Sequence, residues 1–241
     1  TFKGNIASAS GQMNGFGGGV AFIENHARSV IEISDCVFIQ NMGYSRVMCE
    51  SYGAGGGVYL DSISSATILV QGSTFSQNMA GLYCCHKTAS GGGAIASVHV
   101  DGSLSIVGST FDHNTIVFET AFVFSIPEGA AAVDISESEF MNATFVQCGF
   151  SFNTPSNMGG YTGAIFLRNV KSGFVEVDES TFFANWISEE SYDGDLLSGN
   201  SRVCDIGTLL ARVDLKVRGS VFDGNCSYDV YQTCGSSIVI F

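Results

Sequence analysis

Residues 68–78 read ILVQGSTFSQN, and residues 104–114 read LSIVGSTFDHN. Set one over the other, they share an apolar alternation, a glycine, Ser-Thr, and a phenylalanine followed three residues later by asparagine. Branched residues stand seven and five positions before Phe75 and Phe111: Ile68 and Val70 in one stretch, Leu104 and Ile106 in the other. A spacing of two puts them on one face of a strand. Gly72 and Gly108 then suit a bend, and the phenylalanine resumes the inward phase.

The pattern extends over the whole chain. FxxN recurs at equivalent places as Phe2–Asn5, Phe38–Asn41, Phe75–Asn78, Phe111–Asn114, Phe150–Asn153, Phe182–Asn185 and Phe222–Asn225. Successive phenylalanines are 36, 37, 36, 39, 32 and 40 residues apart. Between them lies a Gly-rich or small-residue step before an apolar strand. It reads GGGVAFI from Gly17, GGGVYL from Gly55 and GGGAIA from Gly91. Looser forms are GAAAVDI from Gly129, YTGAIFL from Tyr161, IGTLL from Ile206 and GSSIVIF from Gly235. Two motifs in fixed order define a repeat. Hairpins would need Asn-Gly-type turns at each reversal, and these are missing. The units therefore read as coils stacked in parallel, like residue over like. The expected fold is all-β: a parallel β-helix of about seven coils, three short strands per coil, forming one domain over residues 1–241. The phenylalanines are expected to stack through the core, and the asparagine amides to bond along a ladder at the turn.

Composition narrows the function classes. The chain has 241 residues, with 23 Asp+Glu against 10 Lys+Arg, and a net charge of −13. Charged residues are only 14% and there are 19 phenylalanines, which excludes an acidic disordered tail and argues against long helices. The acidic balance disfavours nucleic acid and anionic membranes as partners. No apolar run reaches the roughly 18 residues of a membrane helix. Both ends, TFKGN and GSSIVIF, read like the interior of the repeat, so a processed product or a segment of a longer chain is expected.

The GG-apolar and FxxN motifs resemble the repeats of the polymorphic outer membrane proteins, a family of autotransporter adhesins. The broader pattern is similar to the right-handed parallel β-helix of the pectate-lyase-like superfamily. The resemblance covers nearly all of residues 1–241. It implies a right-handed winding and a role in surface adhesion or extracellular structure. The chain departs from the family in its many loop cysteines and in showing no translocator barrel within these residues.

Candidate site residues were weighed against plain structural roles. Glu176 and Asp178 face outward on one strand, and the next coil places Lys216 and Arg218 at matching positions. Cross-strand pairing is the preferred reading over catalysis. His26, His86, His99 and His113 share no metal-ligand spacing, and the Gly triplets are not phosphate loops. In Ser188–Asn200, the carboxylates Glu189, Glu190, Asp193 and Asp195 could serve a calcium ion. The EF-hand register is absent there, and a solvated acidic loop is preferred. No cofactor, metal or catalytic residue is assigned, and the chain is not expected to be an enzyme.

Cys36 and Cys148 replace a strand serine and read as buried free thiols, too far apart to pair. Cys49, Cys84, Cys85, Cys204, Cys226 and Cys234 fall after FxxN, in segments read as loops. Disulfides between neighbouring loops and an oxidising compartment are expected there. Asn142 is the better of two glycosylation sequons, because Asn225 belongs to the inward ladder. The stretch from Ile116 to Ile126 alternates Phe118, Thr120, Phe122, Phe124 and Ile126. It is read either as a strand folding back over an outward apolar strip or as an exposed patch. Tyr44, Tyr52, Tyr83 and Trp186 are loop aromatics that could stack on sugars. An extracellular or cell-surface structural component is the leading expectation, with other subunits, further coils of the same chain, or surface glycans as partners. A carbohydrate-binding or polysaccharide-degrading β-helix is the alternative.

Overall fold

The structure, a computed structural model, describes residues 1–8, 17–23, 28–46, 54–84, 91–120, 129–155, 163–187, 205–209, 211–224, 226–227 and 238–240. It is all-β, and every strand pairing among these residues is parallel. The fold is a parallel β-solenoid.

The SxF strands form a seven-stranded sheet: Phe2–Lys3, Val37–Ile39, Thr74–Ser76, Thr110–Asp112, Gly149–Ser151, Thr181–Phe183 and Val221–Asp223. The Gly-led strands and the LxI strands share one 11-stranded sheet, because Val58–Gln71 and Ile95–Val107 run unbroken through both sides. Along the Gly-led side, Val20, Val58, Ile95, Val133, Ile165, Ile206 and Ile238 stand in one register. The eroded sixth unit thus keeps its place through Ile206–Leu209.

To the expected three strands most coils add a fourth. Residues just after the asparagine pair as Ile6–Ser8, Met42–Arg46, Met79–Cys84 and Thr115–Thr120. This four-stranded sheet spans about four turns, while the SxF sheet runs through seven. This strand carries no recurring motif in the sequence: Ile6, Met42, Met79 and Thr115 lead it, and Ser8, Tyr44, Gly81 and Val117 stand two residues on. Backbone pairing needs no side-chain identity. Thr115–Thr120 consequently belongs to the coil stack and does not fold back over a neighbouring face. Residues 121–128 lie outside the described residues.

The bend three residues before each Phe is left-handed, with φ between 47° and 56° at Asp35, Gly72, Gly108, Gln147, Glu179 and Gly219. This region costs an L-residue roughly 1–2 kcal/mol, yet half of these positions are not glycine. The stack holds them. Asp35 N–H donates to Gln71 O, Gly72 N–H to Val107 O, Gly108 N–H to Val146 O and Gln147 N–H to Asp178 O, at 2.9–3.0 Å. Hydrogen bonding between coils therefore continues around the corner.

The Gly triplets close the coil. A Cβ on Gly56 would lie 2.0 Å from Gly93 O and 2.5 Å from Met79 N. Backbone of the next coil and of the strand after Asn78 occupies the space of a side chain. The interior holds Ile, Val and Leu from the Gly-led and LxI sides, with the phenylalanine column at its centre.

Candidate functional site

The most developed side-chain arrangement is the axial ladder. Phe2, Phe38, Phe75, Phe111, Phe150, Phe182 and Phe222 pair in register. Their rings stack with centroids 4.6–5.0 Å apart and planes within 6°. Each such contact adds about 0.5–1.5 kcal/mol beyond area burial.

The asparagine column runs beside it. Asn5, Asn41, Asn78, Asn114 and Asn153 each donate Nδ2 to the next Asn Oδ1 at 2.9–3.0 Å. From Asn41 onward, Nδ2 also donates to a phenylalanine carbonyl of the preceding coil. The backbone N–H of each Asn adds a third bond to the next amide oxygen. Asn41, Asn78, Asn114, Asn153 and Asn185 are fully buried. At Asn185 the partner changes: Nδ2 donates to Asp205 Oδ1 at 3.0 Å. Asn225 lies outside the described residues.

The outward acids are engaged as expected. Glu176 is ion-paired with Arg218 and with Lys216, the latter at 3.7 Å, while Arg218 also reaches Asp178 at 3.6 Å. Glu32 accepts from Ser34. Elsewhere the same axial habit recurs. Gln40 donates to Gln77, Thr110 to Thr74, Thr144 to Ser105, Gln147 to Glu179 and Ser151 to Asp112.

A second polar grouping was not read from the sequence. On the middle Gly-led strands, those starting at Val58, Ile95, Val133 and Ile165, both faces are buried, and Tyr59, Ala96 and Val98 form a cluster separate from the main core. Asp61, only 8% exposed, accepts from Tyr59 at 3.2 Å and Ser62 at 3.0 Å, and meets His99 Nδ1 at 3.3 Å. Farther along, Ser136 donates to the buried Asp134, and Glu137 joins Arg168 at 3.2 Å and Asn169. The signal for it is the loss of alternation in VYLD from Val58, where polar and apolar residues alike sit inside. Among the described residues, no group of three or more His, Cys, Asp or Glu could hold a metal.

Several candidates fall elsewhere. Tyr44 sits on a strand, where a Cβ on Gly81 would clash with its ring. Tyr83 and Trp186 are also on strands, not in loops. Cys84 ends Met79–Cys84, and Cys226 begins Cys226–Ser227, so these two are strand residues as well. Cys49, Cys85, Cys204, Cys234, His26, His86, Tyr52 and the acidic loop 188–200 lie outside the described residues. No helix among the described residues is long and apolar enough to cross a membrane.

Cys36 and Cys148 are free. They occupy the place of Ser73, Ser109, Ser180 and Ser220, whose hydroxyls accept an N–H from the preceding coil, as in Ser73 N–H to Ser109 Oγ at 3.1 Å. Cys36 is half-buried, a correction to its expected burial. Cys148 is buried, and its thiol donates to Ile106 O at 3.3 Å and Val146 O at 3.4 Å. Burial pushes the Cys148 thiol from 9.0 up to about 11. The neutral thiol's contribution to stability is complete below about pH 9 and is lost as pH rises toward 11. Native protein at pH 8 is therefore expected to alkylate at Cys36 and not at Cys148, as read by peptide mass mapping. Equal labelling of the two would contradict the burial.

No protein-family model, no curated protein and no solved structure matches the chain.

Proposed function

We propose that this chain is a non-catalytic structural or adhesive component of an extracellular surface assembly, held by other subunits or by further coils of the same chain. The observation that carries the reading is the direction of the outward side-chain bonds. Gln40–Gln77, Thr74–Thr110, Ser105–Thr144, Asp112–Ser151 and Glu176–Arg218 each join a coil to its neighbour. Such bonds stiffen a solenoid along its axis. They leave Glu176 and Asp178 neutralised by cations instead of poised toward a substrate. The resemblance of the GG-apolar and FxxN repeats to those of autotransporter adhesins supports the same role, as does the acidic composition.

The test is the mass of native material, denatured and reduced, beside its undenatured mass. The expected result is a particle far larger than 25.4 kDa, built from one long chain or from many subunits. A 25.4 kDa monomer in both measurements would overturn the assembly role.

Carbohydrate binding is the second reading, favoured by one surface feature. His113 stacks on Phe152 at 4.8 Å, and Phe152 meets Phe183 edge-on at 5.4 Å, which gives a partly exposed aromatic row over three coils. Retardation of the protein in polysaccharide-loaded gels, lost on Phe183→Ser, would promote that reading above the first.

A further inference from the structure

Two other exposed phenylalanines flank the glycosylation candidate. Asn142 lies on Met141–Val146, with Ser103 beside it on one neighbouring strand and Phe174 on the other. Phe140 stands in the bend just before this strand, and the alternation of exposed Phe140, buried Met141, half-buried Asn142 and buried Ala143 puts it on the face of Asn142. Phe140 and Phe174 keep 44% and 39% of their surface, while Met141, Ala143 and Val175 are buried. Two large exposed rings on either side of one residue offer apolar surface to a group attached there.

The amide itself is held by one end. Asn142 Oδ1 accepts the Phe174 backbone N–H at 3.3 Å. Its Nδ2 has no hydrogen-bond partner among the described residues and is left to solvent. That nitrogen is the atom an N-glycan attaches to in the sequon Asn142-Ala143-Thr144. Parallel strands lie about 4.8 Å apart and alternate residues about 6.6 Å apart. Both rings therefore border the space a first sugar would enter.

We propose that Asn142 carries an N-linked glycan whose first N-acetylglucosamine packs its apolar face against Phe140 and Phe174. The donor is a lipid-linked oligosaccharide pyrophosphate. The bond from Nδ2 to the sugar C1 forms, the C1–O bond to the pyrophosphate breaks, the lipid pyrophosphate leaves, and the Nδ2 proton passes to base. Transfer precedes folding, because the Thr144 hydroxyl is bonded to Ser105 once the sheet is formed. The axial C–H groups of the sugar then meet the electron-rich ring faces, and the patch is covered. The inference rests on the extracellular reading, since only a chain in the secretory pathway meets this donor.

The full 241-residue chain, secreted from a eukaryotic host, tests it wherever the native protein resides. Ser227→Ala, present in all samples, removes the second sequon. Peptide mapping is expected to find Asn142 occupied. An endoglycosidase that leaves the first N-acetylglucosamine should not move the melting midpoint. A glycoamidase that removes all sugar should lower it by about 2–4 °C. In the Phe140→Ser, Phe174→Ser protein that drop should largely vanish. The Asp that the amidase leaves at position 142 is common to both proteins and cancels. An unoccupied Asn142, a drop already complete after trimming, or equal drops in the two proteins would overturn the proposal. None of these outcomes bears on the rod, whose own test is the mass comparison.

Discussion

Asn114→Leu is expected to cost more than about 4 kcal/mol of stability and to split the solenoid's protection against hydrogen exchange. Asn114 Nδ2 serves Phe75 O and Asn153 Oδ1, and its Oδ1 serves both nitrogens of Asn78. Leucine fills similar space and satisfies none of the four. Asn78, Asn114 and Asn153 are fully buried, so water cannot stand in. A buried polar group left without its partner costs about 1–3 kcal/mol. In a solenoid each coil is stabilised by its neighbours alone, so the loss should appear locally first. The amide of Asn78 should exchange fastest, followed by that of Asn41, whose acceptor Asn78 provides, with Asn5 less affected. Uniform exchange along the column, or a cost under about 1 kcal/mol in urea unfolding, would mean that the amides do not bind the coils together.

Gly56→Ala is expected to be at least as damaging, although it adds a single methyl. The new Cβ would meet backbone on two sides, at Gly93 O and Met79 N, and backbone in a packed stack cannot move aside. The comparison that isolates the cause is Gly108→Ala. There φ is +56° and nothing lies within 4 Å of the added carbon. That substitution meets only the left-handed penalty of about 1–2 kcal/mol, which Asp35, Gln147 and Glu179 already bear at the same bend. Soluble yield and urea midpoint should therefore collapse for Gly56→Ala and fall modestly for Gly108→Ala. If the two behave alike, close approach is not what requires glycine in the triplet.

The parts of the fold that could be read beforehand are those in which stacking rewards identical side chains. Phe over Phe and Asn over Asn give six ring contacts and an unbroken amide column, and both motifs were visible as repeats. The strand after the asparagine was not visible, because its backbone pairing, as between Met42–Arg46 and Met79–Cys84, is matched by no motif that recurs in every coil. The Asp61–His99 grouping was hidden for a different reason. An alternating pattern predicts one wet face, and the middle Gly-led strands are buried on both. The ionic row of Glu176, Asp178, Lys216 and Arg218 was legible because opposite charges faced each other at equal offsets from their phenylalanines.

The asparagine column has a sense. Among the described residues each Asn-to-Asn bond runs the same way, with Oδ1 accepting from the lower-numbered coil and Nδ2 donating to the Oδ1 of the higher one. Asp205 Oδ1 accepts the last described bond of the column. At this column the two faces of a coil are thus unlike: the amide oxygen accepts from the lower-numbered coil, and an Nδ2–H bond leads to the amide of the higher one. Coils can extend this column only head to tail, and two such columns brought together by like ends would set donor against donor. An assembly built on this chemistry is a vector, with a leading and a trailing end fixed by an amide.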